Sequence, residues 1–148
     1  MTCGTMQPYA LTLDKFIDHA AKWHGTAQVV TGGDGDAARI DYATLRTRAN
    51  RLSGALATLG LRAGDNLGTL AWNSQAHMEC WYGAMGVGIV CHTLNPRLTP
   101  DNLAAMIGQA GNHVLAVSPD LALLVKQILS RCPAIEHVIV LDEPGVNA

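Results

Sequence analysis

Charge is scarce in this chain. Lys, Arg, Asp and Glu make up 15% of its 148 residues, against about a quarter in ordinary soluble domains. That shortage points to a surface partly covered by more protein, although an alanine-rich chain reads the same way. Lysine is scarcer still: Lys15, Lys22 and Lys126 are the only three. All three fall in helical patterns, none after a glycine-rich loop, so a P-loop is excluded. "GGDGD" at 32–36 has the glycines but carries Asp34 and Asp36, which repel phosphate; it reads as a hairpin turn. No G-x-G-x-x-G follows a strand, which excludes a dinucleotide fingerprint. A net charge of −2 with scattered arginines leaves no footprint for nucleic acid. Arg46, Arg48 and Arg51 share a helix and read as a solvated face. No run of eighteen apolar residues suggests a transmembrane helix, and the first residues lack the basic-then-apolar order of a signal peptide.

Four cysteines, Cys3, Cys80, Cys91 and Cys132, form no C-x-x-C pair and no zinc spacing. With no export signal they are expected as reduced thiols in a cytoplasmic protein. Cys80 and Cys91 lie in apolar segments and read as small core residues. A catalytic Cys91–His92 pair is disfavoured, because neighbours on a strand point to opposite faces. The six histidines contain no H-E-x-x-H pair, and His77 and Glu79, two apart, lie on different sides of their helix. Ser74 lacks the flanking glycines of a nucleophile elbow and reads as a helix cap. No catalytic, cofactor-binding or metal-ligating residue emerges from the residues themselves.

What is present is a regular alternation. One domain's worth of chain, enough to bury roughly 70% of its unfolded surface, opens with "LTLDKFIDHAAKWHG". Leu13, Phe16, Ile17 and Ala20 predict an apolar helix face, and Gly25 ends it. "AQVVT" and "ARIDY" predict a β-hairpin. Asp41 is placed to cap a helix in which Leu45, Ala49, Leu52, Leu56 and Leu59 form one stripe, ended by Gly60 and "RAGD". Strands "NLGTLAW", "GIVCHTL", "HVLAV" and "HVIVL" then alternate with helices. The first has Ser74 as cap and a face of Met78, Trp81, Tyr82 and Met85. The second starts at Thr99-Pro100, with Leu103, Met106, Ile107 and Ala110 facing inward. The third starts at Ser118-Pro119, with Leu121, Leu124, Val125 and Ile128, and Pro133 ends it. The continuously apolar middle strands imply helices on both faces. The fold class is α/β: a mostly parallel sheet of βαβ units flanked by helices, with an N-terminal helix and hairpin. The domain is expected over 1–141, with 142–148 as a frayed tail.

The order of "DYATL", "GDNLGTLAWN", "GIVCHTLNPRL" and "VLAVS", preceded by "LTLDKFIDHAAKWHG", resembles the N-terminal portion of the adenylate-forming acyl-CoA synthetases. The resemblance spans about residues 11–141. It is closest to the medium- and long-chain fatty-acid–CoA ligase branch, which includes 3-methylmercaptopropionyl-CoA ligase-like enzymes. It implies a partial large N-terminal domain of an enzyme that uses ATP, Mg2+ and coenzyme A. A carboxylate attacks the α-phosphate of ATP, and coenzyme A thiol then displaces AMP. The family's Ser/Thr/Gly-rich phosphate loop, nucleotide-binding elements and assisting lysine all lie downstream of the matched region. No catalytic role carries over to a residue here, and no cofactor is expected for this chain alone. Where the family has other residues, Asp41 and Ser118 keep capping chemistry, and Gly111-Asn112 is expected only to alter a turn.

Two readings follow. The chain is an N-terminal fragment of a ligase, inactive by itself and partnered by the missing C-terminal part. Alternatively it is a stand-alone non-catalytic module that pairs with a complementary chain or a full-length ligase. The resemblance also implies a homodimer as a further partner arrangement. A small flavodoxin-like binding protein is a distant third. At "CHTLNPRLTPDNL", Asn95-Pro96 forces an extended step and Thr99-Pro100 starts a helix, so the stretch reads as a structural corner. Arg97 is the residue there that could face a charge, and His92 or Asn95 could line a cleft.

Overall fold

The computed structural model describes residues 12–32 and 37–141. Cys3, the tip of the "GGDGD" turn and the expected tail 142–148 lie outside them. Helix α1 (Asp14–Trp23) precedes an antiparallel hairpin of β1 (Gln28–Thr31) and β2 (Ala38–Asp41). Helix α2 (Tyr42–Thr58) follows at once, and Asp41 caps it by accepting from the Thr44 N–H at 2.8 Å. The sheet then builds in steps: β3 (Asn66–Leu70), α3 (Gln75–Met85), β4 (Val90–Leu94), α4 (Pro100–Ala110), β5 (Val114–Val117), α5 (Ala122–Leu129) and β6 (His137–Val140). All four strands are parallel, in the order β4-β3-β5-β6.

Parallel register divides the sheet into two faces. Leu67, Cys91 and Val114 are aligned, as are Thr69, Thr93, Ala116 and Ile139; this is face one, covered by α2 and α3. Gly68, His92 and Leu115 are aligned, as are Leu70, Leu94 and Val117; this is face two, covered by α4 and α5. The step from β3 to β4 thus crosses face one, and the steps through β5 to β6 cross face two in the opposite direction. A right-handed crossover requires that change of side when direction reverses. Cys91 and His92 fall on opposite faces, as strand alternation demands. The inner strands β3 and β5 are almost wholly buried, and β4 and β6 border the described sheet with more of their residues exposed.

The stripes expected on α2, α4 and α5 face inward: Leu45, Ala49, Leu56, Leu103, Ile107, Val125 and Ile128 are buried. Thr99 accepts from the Asn102 N–H, with Pro100 at the first turn of α4. Five expectations need correction. Ser118 makes no side-chain cap bond; its Oγ accepts from the Trp72 N–H, and Pro119–Leu121 form a 3₁₀ turn before α5 begins at Ala122. On α1 only Ile17 is buried, whereas Leu13 and Phe16 are 48% and 67% exposed; the helix meets the body along one narrow seam. On α3 the expected face of Met78, Trp81, Tyr82 and Met85 is half-buried or exposed, and the helix buries Ala76, Cys80, Gly83 and Ala84 instead. It is wedged between sheet and α2, where its apolar contacts are made by small side chains and its larger buried residues, Gln75, His77 and Glu79, are polar. A Cβ on Gly83 would lie 2.9 Å from the Ala49 carbonyl oxygen, a distance no real contact tolerates.

The arginines of α2 are more than a solvated face. Arg46 pairs with Asp18 of α1, and Arg48 pairs with the buried Glu79 of α3, each at 2.6 Å. Glu79 also accepts from the Gln75 amide at 2.6 Å, so its charge is satisfied where burial would otherwise be costly. Last, Asn112 is not merely a turn residue. Gly111 ends α4, but Asn112 is 1% exposed and crosslinks the amino ends of the strands. Its Nδ2 donates to the Asn66 carbonyl, and its Oδ1 accepts from His92 Nδ1 at 2.7 Å. Gly68 leaves the room for it: a Cβ there would sit 3.3 Å from the Asn112 amide carbon.

Candidate functional site

Ligands of open parallel sheets bind beyond the carboxyl ends of the strands, where neighbouring connections leave on opposite faces. Here α3 leaves on face one, and the connections after β4 and β5 leave on face two. Both gaps flanking β3 therefore qualify, and they differ. The β3/β4 gap is an open crevice of about 380 Å³, with Ala71, Trp72, Asn73, His77 and Trp81 on one side and Thr93, Leu94, Asn95, Pro96 and Arg97 on the other. Over the β3/β5 gap, the Trp72 indole N–H donates to Asp120 at 2.8 Å, and the Trp72 backbone N–H donates to Ser118 Oγ at 3.1 Å.

The crevice walls follow from local chemistry. Beyond β4, Asn95 to Leu98 close a turn with Pro96 as its second residue: the Leu98 N–H donates to the Asn95 carbonyl, and the Arg97 N–H donates to Asn95 Oδ1. Proline presets the turn dihedral and asparagine mimics a backbone turn. That turn lifts Arg97 to the crevice, with its guanidinium 5.6 Å from the centre of the Trp72 ring. Beyond β3, Ser74 caps α3 by accepting from the His77 N–H. His77 is buried, with Nδ1 at 3.0 Å from the Trp72 carbonyl and Nε2 at 2.9 Å from Thr69 Oγ1. A carbonyl only accepts, so Nδ1 carries a hydrogen and donates it to Trp72, while Nε2 meets the threonine hydroxyl. The ring also meets Trp81 edge-on.

The site therefore has an aromatic floor, one guanidinium, and amide and hydroxyl groups. That combination suits binding of a partly planar, anionic group. It presents no nucleophile–base pair to the crevice, because Thr69, the hydroxyl that His77 Nε2 meets, is fully buried on β3. Cys91 is no nucleophile either: burial on face one pushes its thiol up to about 11, against a smaller opposing effect of the Thr69 hydroxyl. Among the described residues, no three His, Cys, Asp or Glu side chains could hold a metal ion.

Of the residues singled out at the corner, Asn95 and Arg97 line the crevice. His92 does not; it turns to Asn112 on face two. The corner is thus a structural turn that also forms a crevice wall. Sequence reasoning missed Trp72, His77 and Trp81 as its other walls. Two tryptophans on consecutive elements are the available signal, but periodicity puts Trp81 on an apolar helix face and Trp72 in the strand. A second depression of about 290 Å³ lies at the amino ends of the strands, lined by Asp65, Asn66, His113 and Glu136 among others, away from the crevice.

The AMP-binding enzyme family matches residues 16–148. The chain is 37% identical over 146 residues to a 3-methylmercaptopropionyl-CoA ligase of Ruegeria lacuscaerulensis, covering 98% of this chain and 27% of that protein. It is 37% identical over 141 residues to a long-chain-fatty-acid–CoA ligase of Thermus thermophilus, covering 95% and 26%. In three dimensions it resembles the anthranilate CoA ligase AuaEII in complex with anthranoyl-AMP, with a TM-score of 0.82 at 20% identity, over 91% of this chain and 26% of that one; this likeness shows the fold. The chain spans about a quarter of the length of these relatives. Sequence order, sheet topology and family match agree: this chain belongs to the AMP-binding enzyme family and corresponds to the N-terminal part of its acyl-CoA ligases.

Proposed function

We propose that this chain supplies the N-terminal portion of an ATP-dependent ligase that joins a medium- or long-chain carboxylic acid to coenzyme A. In the whole enzyme the carboxylate attacks the α-phosphate of ATP and releases pyrophosphate; the thiol of coenzyme A then displaces AMP. The observation that carries this reading is 37% identity across nearly the whole chain to two acyl-CoA ligases. By itself the chain makes no acyl-adenylate. Phosphoryl and adenylyl transfer need a cradle of donors and cations around the developing charge; the crevice supplies Arg97 as its cation, and its histidine is committed to the loop. Among the described residues no three His, Cys, Asp or Glu side chains come together as a resident metal site. A cytoplasmic location belongs to the same proposal, supported by Cys91 and Cys132 as free thiols; no helix among the described residues is long and apolar enough to cross a membrane.

The test is fatty-acid-dependent ATP–pyrophosphate exchange. The purified chain is expected to give none above background, and exchange by the chain alone would refute its inactivity. Extending the coding sequence by the remainder of a relative such as the Thermus ligase is expected to give exchange.

A second reading, a module that pairs with another chain, is favoured by one observation. Val138 and Val140 on the bordering strand β6 are 38% and 60% exposed, on the face that α5 leaves uncovered at that edge. Light scattering with and without the separately expressed remainder of the ligase distinguishes the two readings. A stable stoichiometric complex supports pairing, and no complex supports a covalent fragment only.

A further inference from the structure

We propose that Trp72 decides which gap beside β3 is open: it seals the β3/β5 gap and holds Arg97 in place over the β3/β4 crevice. One side chain and its peptide reach all three corners at the carboxyl edge. The indole N–H is anchored to Asp120, and the backbone N–H to Ser118, both in the corner after β5. The Trp72 carbonyl takes the His77 ring hydrogen and the Ser74 N–H in the corner after β3. The ring itself packs against the core of face two and lies under the guanidinium of Arg97 in the corner after β4.

Each contact limits a different freedom. Asp120 fixes the rotation of the indole. The fixed ring then offers a flat, electron-rich surface on which a planar guanidinium stacks and a lysine ammonium would not lie flat. Arg97 is otherwise an exposed side chain on a turn, so without that surface its several rotors are free. Trp72 is therefore a positioning residue, and a group that enters the crevice meets a charge already in place rather than one that must be ordered on binding. This inference stands on the crevice geometry and is independent of the ligase reading.

The experiment uses the whole chain, labelled with nitrogen-15, and follows the Nε–H group of Arg97 with that of exposed Arg51 as reference. In the unsubstituted protein the Arg97 Nε–H is expected upfield of Arg51 by the ring current of Trp72. Its order parameter is expected nearer the rigid value of about 0.85 than the flexible range below about 0.6. Trp72→Leu is expected to remove both features. Trp72→Phe, which keeps a ring but loses the bond to Asp120, is expected to restore part of the upfield shift with a lower order parameter. Asp120→Asn is expected to lower the order parameter less than Trp72→Leu does. Unchanged backbone amides on β3 and β5 show in each case that the sheet is intact, a readout that a purely structural role of Trp72 would move first. Arg97 as mobile as Arg51 in the unsubstituted protein, or unchanged in Trp72→Leu, overturns the proposal. Should Trp72→Leu fail to fold, the pair Trp72→Phe and Asp120→Asn decides alone: no change in Arg97 in either overturns it.

Discussion

On face two of the sheet, α4 and α5 press Leu103, Ile107, Val125 and Ile128 onto Leu70, Leu94, Leu115 and Val117. On face one, α3 brings Ala76, Cys80 and Ala84 to Leu67 and Ala116, with Gly83 against the backbone of α2. Face two is filled by large side chains that interlock. Face one is made by backbones that approach closely, and it accommodates buried polar groups, Glu79 with Arg48 and Gln75, and His77 with Thr69. Two layers of one sheet therefore fail in opposite ways: face two fails when atoms are removed, and face one when they are added.

Substitutions can break that contrast. Leu103→Ala, at a fully buried position of face two, is expected to cost about 3 kcal/mol from lost transfer energy plus the cavity left behind. Urea denaturation measures it, and a cost under about 1 kcal/mol would mean that face two collapses around the gap. Gly83→Ala adds a single methyl group to face one. On helix propensity alone it should gain about 1 kcal/mol; the 2.9 Å approach reverses the sign, with a net loss of about 1–2 kcal/mol. The control is Gly54→Ala in α2, where an added Cβ meets nothing within 4 Å and stability should rise by up to about 1 kcal/mol. If both glycine variants shift the urea midpoint the same way, close approach is not what face one requires.

Arg48→Ala leaves Glu79 with its Gln75 partner but no cation. The arginine is 36% exposed, so solvent screens part of the loss, and about 1 kcal/mol is expected. A double-mutant cycle with Glu79→Gln measures the pair itself. Cys91 reports on face one chemically. With its thiol near 11, its thiolate fraction at pH 8 is about a hundredfold below that of a thiol at 9, so iodoacetamide should label it far more slowly than an unfolded control. Rapid labelling of the native protein would show that face one opens at β4.

The smallest effect lies at the hairpin-to-helix junction. The Thr44 side chain and N–H hold the Asp41 carboxyl below its usual 3.8. A depressed pKa in the folded state means stabilisation that is present above 3.8 and lost as pH falls through the lower folded value. Asp41→Ala should therefore lower the urea midpoint at pH 7, and the gap to the unsubstituted protein should narrow below pH 3.8. A gap independent of pH would show that the carboxylate charge is not what caps the helix.

Face two was legible because large apolar residues recur at helical spacing on α4 and α5 and nothing else competes for burial. Face one was not. Periodicity ranks Met78, Trp81, Tyr82 and Met85 as the inner side of α3, since they are its largest apolar residues, whereas the apolar residues that the helix buries between sheet and α2 are the small Ala76, Cys80 and Ala84, with Gly83. The crevice was half legible for a related reason. Pro96 and Asn95 announce a turn from local chemistry, and the corner's only cation drew notice. Trp72 and His77 act through Asp120, Ser118 and Thr69, partners that sequence order does not bring near.

The succession of strands and helices, the caps at Asp41, Ser74 and Thr99, the parallel α/β class and the family are all readable from the amino-acid order. These depend on neighbours a few residues apart, which any reader of the chain can see. Tertiary structure decided the inner side of α3, the pairing of Arg48 with Glu79, the inward turn of Asn112 and the closing of one gap by Trp72. Each of these depends on how much space is left between layers, and that distance exists only after the layers have packed.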